Sequence, residues 1–556
     1  MSDLFIILIF AVVIVLVFAK GVYDNKKSKL EFINQCVSEY GNKNKKTYSA
    51  DELAKIKEYY LATTDFSKGQ VIDDITWNDL SLDDVFMQID RTYSQPGAEV
   101  LYKMLRNTSD ESKLADMEEF FEYFELNKEK RISSIGLLHS IGKLSEISFI
   151  NYINKLDECE KLNFIKHLFC LIFGLVSDAS IFINPPVGFI LMIASLIYNI
   201  TSYFKVKDKT RPYILTFYYV KRLIKYSEQL NKLEISVLRD EKKKIEDIVR
   251  CSKNLRKLTT IIVGGENFAG TFLDILLDYL RMYFHLDMLL FNCVLNEVRR
   301  EKESYIYLWK IIGFIDASIS VGDFRNSLSY YAKPEFTYDG YKARGLYHPL
   351  IAEPVDNDID VKRCVLITGS NASGKSTFLK TVAINAILSQ TINTALAKEY
   401  YGRNFDIATS MALSDSINNG ESFYMAEIKA LKRIIKKAEG SLPVLCCIDE
   451  VLKGTNTAER ISASAAVLEY LSKAGIVCFA ATHDLELSVL LSECYDNYHF
   501  SENIEDTEIS FSYKIEDGPT NSRNAIKLLS VMGFDKDIVN AADFRCKNFL
   551  ENKVWT

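Results

Sequence analysis

Proline and glycine are scarce in this sequence, with 9 prolines and 24 glycines among 556 residues. That scarcity argues against extended disorder and leaves room for long helices. Cysteine pairs are missing too. The 11 cysteines stand singly, apart from the adjacent Cys446 and Cys447, and no CxxC spacing occurs. Neither a zinc site nor a disulfide framework is expected, and the thiols are read as reduced and mostly buried, as in a cytosolic setting. An overall positive charge is also absent: 67 Lys and Arg face 74 Asp and Glu, a formal −7, so the whole molecule is not a polycation built for nucleic acid. What remains is ordinary globular composition, 48% apolar and 25% charged. The chain is too long for one hydrophobic core, so two or three folded units are expected.

Long apolar runs are present. Leu4 to Ala19 contains no polar residue, and Lys20, Lys26, Lys27 and Lys29 follow it. The start, Met1-Ser2-Asp3, is not the basic start of a cleaved signal peptide. The flanks predict an uncleaved anchor with the rest of the chain in the cytoplasm. A second apolar block, Leu168 to Phe204, is interrupted by Asn184-Pro185-Pro186, with Lys166 before it and Lys205, Lys207, Lys209 and Arg211 after it. Equal charge at both ends predicts a helical hairpin that enters and leaves the membrane on one side. Asp178 inside the first half favours the alternative of a buried hairpin in a soluble domain.

Residues 30–160 and 206–340 show apolar residues at steps of three and four, the helical period. The stripe from Leu276 to Leu295 is read as core packing. From Lys205 to Lys257 there are 16 Lys or Arg against 7 Asp or Glu. This positive tract suits either anionic lipid or nucleic-acid phosphates, and its place after the hairpin favours lipid.

The clearest chemistry follows residue 363. A short apolar strand, Cys364 to Thr368, leads into Gly369-Ser370-Asn371-Ala372-Ser373-Gly374-Lys375-Ser376-Thr377. Glycines at the first and sixth positions followed by Lys-Ser meet the phosphate-loop pattern, whose backbone N–H groups cradle a nucleotide's phosphates. Lys375 is expected to reach the β- and γ-phosphates and the Ser376 hydroxyl to hold magnesium, so ATP and magnesium are the expected ligands. A second apolar strand, Val444 to Ile448, ends in Asp449-Glu450. At that place Asp449 suits magnesium or its waters, and Glu450 suits the general base for an attacking water. A third strand, Ile476 to Ala481, ends in Thr482-His483. His483 is thereby placed at a strand tip facing the γ-phosphate. Ser422, in Gly420-Glu421-Ser422, stands just before an amphipathic helix, whose free N–H groups form a second anion site. The economical reading assigns it to the nucleotide of a second subunit, and the bland one to a plain helix cap.

These residues resemble the MutS-type ATPases, relatives of the ABC ATPases that act in DNA mismatch repair and recombination. GSNASGKST, GESFYMAEI, IDEVLKGTNTAER and ATHD occur in that family's order and spacing. Tyr347 to Ile359 resembles the family's lead-in to the phosphate loop, and Asn521 to Ala542 its closing helix-turn-helix. Asp83 to Arg106 and Ile312 to Phe336 resemble the two ends of its helical lever domain. The sequence departs from the family pattern at Ser370, Ala372 and Ser373 in the loop and at Phe423 and Tyr424 in the signature. No aromatic that would stack on adenine is evident before the loop, where Pro354 and Val355 lie nearest. No mismatch wedge is found.

The expected fold is therefore an α/β ABC-type P-loop ATPase domain, a mostly parallel sheet flanked by helices, preceded by an all-α lever domain, with transmembrane helices. Its expected parts are an anchor at 1–30, lever segments at 31–165 and 206–340, a transmembrane hairpin at 166–205 and the ATPase domain at 341–556. The resemblance implies a homodimer that sandwiches and hydrolyses ATP and binds double-stranded DNA. The hairpin adds membrane lipid as a partner and the cell membrane as location, with both domains in the cytoplasm. The competing expectation is a membrane mechanochemical or scaffold ATPase acting on lipid or a protein without DNA.

Overall fold

The computed structural model describes residues 20–21, 23–24, 26–43, 46–68, 71–143, 147–263, 272–370, 373–411, 423–452, 456–504, 509–520 and 525–552. The apolar run 4–19, Asn371, Ala372 and Ser422 lie outside the described residues.

The chain forms two compact units. One comprises residues 65–88, 104–118 and 328–556, and the other residues 1–64, 89–103 and 119–327. The boundary expected at residue 340 is thus joined by two earlier segments that belong with the later half of the chain. Side-chain pairing explains the assignment. Asp73 pairs with Arg433, the Asp79 carboxylate accepts from the Thr409 hydroxyl at 2.6 Å, and the Ser109 N–H donates to the Gln390 carbonyl at 2.8 Å. Helical periodicity says which face of a helix is buried, but not which core it joins.

The first unit holds two sheets. The strands are β1 (Tyr341–Leu346), β2 (Asn357–Val361), β3 (Cys364–Thr368), β4 (Glu399–Tyr401), β5 (Asp406–Ser410), β6 (Val444–Asp449), β7 (Val477–Thr482), β8 (Tyr495–Ile504) and β9 (Ile509–Asp517). A three-stranded antiparallel sheet runs β2-β1-β4. The six-stranded sheet runs β5-β6-β7-β3-β8-β9, parallel except for the β8–β9 pair. It is therefore a mixed sheet flanked by helices. Every residue of β3 and β7 is buried, as central parallel strands require, and this is why both read as unbroken apolar runs. The third strand begins at Val477, one residue after the expected Ile476. Helices Lys375–Ile392, Phe423–Ala438 and Thr457–Lys473 lie in sequence between strands of this sheet. The Leu431, Ile434, Leu468 and Leu471 side chains pack with Leu366, Ile448 and Ala480 in one buried cluster.

The second unit is helical. Its helix Lys302–Asn326 is apolar and long enough to cross a membrane, yet 78% of its apolar window is buried in protein, so it is a core helix. Trp309 on it stacks on Phe149 at 4.2 Å and donates its indole N–H to Glu99. Asp316, two turns further on, accepts from the backbone N–H of Tyr93 and Ser94. Gly97 lets that carboxylate approach, because a Cβ there would lie 2.2 Å from Asp316 Oδ2. Residues from the two ends of the expected lever therefore meet around one buried acid.

The apolar block after residue 163 forms two helices, Phe164–Ile183 and Pro185–Asn231. Asn184 ends the first, and Pro185 opens the second, where a missing N–H does no harm. The second helix continues for 47 residues through Pro212, so residue 205 marks a change of composition without a break in the helix. Their burial is inverted relative to a soluble core. Within the apolar block the buried positions are His167, Cys170, Gly174 and Ser177 on one helix and Gly188, Ser195, Asn199, Ser202 and Tyr203 on the other, whereas beyond it the second helix buries large apolar residues such as Phe217 and Leu223. The large apolar side chains face outward, with Phe182 92%, Ile183 87% and Ile190 69% exposed.

Candidate active site

The site is built at the C-terminal ends of β3, β6 and β7, where parallel strands deliver side chains to one edge. Register sets Asp449 beside Ala481, and Ala481 beside Ile367, so three strand ends stand level. The chain leaves β3 at Gly369, with φ 141°, and enters the next helix at Gly374, with φ 107°. Both values lie in the region that glycine alone adopts without strain. Between them the Ser373 hydroxyl donates to the Ser370 carbonyl at 2.7 Å, and the Ser370 hydroxyl donates to Glu502 of β8 at 2.7 Å. Ser370 thus ties the loop to the neighbouring strand.

Lys375 is buried and folds back over this loop. Its Nζ donates to the carbonyls of Gly369 at 2.6 Å and Ser370 at 2.7 Å. The ammonium therefore sits inside the turn that the glycines make. Ser376 is half-buried on the first turn of the helix, and Asp449 is half-buried at the end of β6. Thr377 is exposed, on the side of a separate cavity described below. Among the described residues, neither the Ser376 hydroxyl nor the Asp449 carboxylate forms a hydrogen bond or ion pair with protein. A hydroxyl and a free carboxylate are the hard oxygen donors that magnesium prefers.

Glu450 follows Asp449 in a left-handed backbone conformation, φ 57°. Its N–H donates to the Ala481 carbonyl at 3.0 Å, which clamps the turn after β6 to the end of β7. That clamp brings its carboxylate to 3.3 Å from Nδ1 of His483. The carboxylate is 10% exposed and the imidazole 47%. The hydrogen bond to Glu450 raises the His483 pKa, outweighing the opposite effect of burial. Beyond His483, Asp484 is gripped by both Nε and Nη2 of Arg460, at 2.9 and 2.6 Å. Arg460 and Asp484 belong to the quoted motifs, yet sequence reasoning gave neither a part. Their pairing fixes the backbone next to His483, a long-range contact without a sequence signal.

A cavity of about 360 Å³ adjoins the loop. Its lining includes His348, Pro354, Val355, Gly374, Thr377 and Tyr513. Pro354 and Val355 lie where the sequence placed them, but the aromatic comes from far along the chain. Tyr513 of β9 adopts φ 52°, and its ring covers Gly374 so closely that a Cβ there would lie 3.2 Å from it. The Asn357 side chain holds this bend, donating to the Tyr513 carbonyl at 3.1 Å and accepting from the Ile515 N–H at 2.8 Å. His348 stays neutral near pH 7, since burial first and the Lys380 charge second lower its pKa to about 4. The cavity is thus a mainly apolar slot in which Phe378, Phe500 and Tyr513 contribute aromatic surface, large enough for a planar base.

Residues 365–550 match the family described as MutS domain V. The chain is 30% identical over 274 residues to the DNA mismatch repair protein MutS of Thermotoga maritima, covering 47% of this chain and 34% of that protein. It is 30% identical over 255 residues to the DNA mismatch repair protein MutS of Thermus aquaticus, covering 45% and 31%. It is 31% identical over 283 residues to the human MutS protein homolog 4, covering 47% and 30%. The matched part thus spans about a third of the length of these relatives.

Proposed function

We propose, from the premise that this is a MutS-family chain carrying domain V at residues 365–550, that it is a membrane-held ATPase whose ATP-bound form is a homodimer. The observation that carries the reading is the convergence of Lys375, Asp449, Glu450 and His483 on one edge of the sheet. On ATP binding, Lys375 exchanges two neutral carbonyls for charged phosphate oxygens, which are stronger partners. Ser376 and Asp449 would hold magnesium, which would supply positive charge against that of the phosphates. Glu450 accepts a proton from the attacking water, with His483 fixing the carboxylate and lying near the γ-phosphate. Tyr513 stacks on adenine in the adjoining cavity, and the loop residues Gly369 to Thr377 wrap the phosphates. Ser422 of a second copy completes the site across the dimer.

The hairpin reading is that residues 166–205 lie in the membrane, with the ATPase unit and the helical lever segments in the cytoplasm. Its support is the inverted burial: small and polar residues inside, large apolar residues outside, as lipid requires. The basic residues that follow suit the anionic leaflet. The relatives' names point to mismatch repair, so double-stranded DNA is the proposed cargo, held by the levers near the membrane. The hairpin equally favours a second reading, in which the levers act on lipid or a protein partner without DNA.

The experiment is ATP-dependent DNA binding by the full chain in nanodiscs at low and at physiological salt. Affinity that falls steeply with salt supports the DNA reading. No affinity at low salt with ATP present rejects it in favour of the second. Equal ATP turnover by Ser422→Ala and wild type, in a protein that stays monomeric with ATP, would overturn the dimeric site.

A further inference from the structure

The short helix Phe272–Phe284 departs from the expectation that the stripe Leu276 to Leu295 is all core. In the helix after it, Met288, Phe291, Val294 and Leu295 are indeed buried. Leu276, Tyr279 and Leu280 are exposed, at 44, 61 and 41%. Helical spacing puts these three and Tyr283 on one side and puts Asp278 and Arg281, an ion pair at 2.6 Å, on the other. The helix is therefore amphipathic, with its apolar side partly uncovered.

Its C-terminal end is locked to both hairpin helices by polar groups. The Tyr283 hydroxyl donates to Asp178 at 3.1 Å and shares a hydrogen bond with the Ser195 hydroxyl at 2.8 Å. The Asn199 amide donates to the carbonyls of Tyr283 and Cys170, both at 2.9 Å. His285 meets the Asn199 carbonyl at 2.9 Å and the Nδ1 of His167 at 2.8 Å. Phe284 and Tyr283 fill the space beside Gly174, where a Cβ would sit 3.4 Å from either ring. Asp178, the acid that argues against a membrane hairpin, is thus answered by this helix. Polar groups turned inward and paired across helices are what a lipid surround demands.

We propose that the helix Phe272–Phe284 is a third lipid-contacting element. It lies against the hairpin with Leu276, Tyr279 and Leu280 among acyl chains and the exposed Asp278, which holds the largely buried Arg281, toward headgroups and water. The occupant is lipid because Tyr283 and Phe284 seat this helix directly on both hairpin helices, whose outward side chains, such as Ile190, are the surface assigned to lipid. Thirteen residues rise about 20 Å, short of a hydrocarbon core of about 30 Å, so the helix sits at the interface and does not span. The inference rests on the hairpin reading.

The test replaces single residues of the full chain with the photoreactive p-benzoylphenylalanine, in vesicles of phosphatidylethanolamine and phosphatidylglycerol. Positions 276, 279, 190 and 303 are irradiated and lipid adducts are measured by mass spectrometry. Adducts at 279 and 276 several-fold above those at the exposed polar position Glu303, and comparable to those at Ile190, support the proposal. Adducts at 190 with none at 276 or 279 overturn it and leave the hairpin standing. A cross-link from 279 to a second copy of the chain also overturns it. Absence of adducts at 190 overturns the hairpin reading and this one with it. Tyr279 is an exposed aromatic position, so the replacement there is mild, and position 276 is an independent check.

Discussion

Nδ1 of His483 lies 3.3 Å from a carboxylate oxygen of Glu450, whose own backbone is left-handed at φ 57°. A non-glycine residue rarely holds that conformation, and here it aims the carboxylate at the strand tips. Replacing Glu450 with Gln is expected to lower ATP turnover by about 10²–10⁴-fold while ATP binding persists. Steady-state hydrolysis and nucleotide titration separate the two effects.

The same variant carries a pH signature. Glu450 raises the His483 pKa, so the pair's contribution is complete below the ordinary histidine pKa. It is lost as pH rises through the raised value. In Glu450→Gln the imidazole is expected to titrate at lower pH than in wild type, read by NMR of the histidine ring protons. An unchanged titration would mean that the contact is absent in solution.

The left-handed backbone at residue 450 makes a separate claim about stability. Ala and Gly both remove the carboxylate, but only Ala retains a Cβ at φ 57°. Glu450→Gly is therefore expected to be about 1 kcal/mol more stable than Glu450→Ala, the reverse of the order in a helix. Thermal melting of the two variants checks the order.

Of the aromatics that line the cavity, Tyr513 is the one whose ring covers Gly374. Tyr513→Ala is expected to weaken ATP affinity by about 1–3 kcal/mol, the usual contribution of an aromatic stacked on a base. Tyr513→Phe keeps the ring and is expected to bind as wild type does. Isothermal titration with an ATP analogue distinguishes them, and equal affinity for Ala and Phe would remove Tyr513 from the site.

In the helical unit, burial pushes the Glu99 carboxyl up to about 8, against the effect of its hydrogen bonds from Gln95 and Trp309. Such a group favours the folded state while protonated. Its contribution is complete below its unfolded pKa and disappears as pH rises from about 4.5 to about 8. Glu99→Gln removes the ionisation, so the Tm of the variant relative to wild type is expected to rise between pH 5 and pH 8. A constant difference would show that Glu99 is ionised throughout.

Gly188 marks the closest approach of the hairpin helices, where a Cβ would lie 2.4 Å from the Ile181 Cα. Gly188→Val is expected to destabilise the hairpin by about 1–3 kcal/mol, the range for overpacking. Heat-induced aggregation in detergent reports it, with Ile190→Val at an exposed position as the neutral control.

The apolar strands, the glycine turns at Gly369 and Gly374 and the place of Asp449-Glu450 at a strand end were legible in the sequence. Local patterns fix them, since a loop that wraps phosphates needs particular glycines and a fully buried strand needs an unbroken apolar run. The helix break at Asn184-Pro185 was legible for the same reason, because a proline acts on the segment that contains it. Other features depend on residues far apart in the chain. Residues 65–88 join the sheet-containing unit through ion pairs and hydrogen bonds with residues more than 300 positions away. Tyr513 reaches Gly374 because a bend in β9, held by Asn357, turns its ring inward. Asp178 reads from its own segment as a misfit, and it is satisfied by a tyrosine 105 residues later. Period and composition carry local preference; partnership across the chain depends on which surfaces can exclude water together, and that is settled when the whole molecule packs.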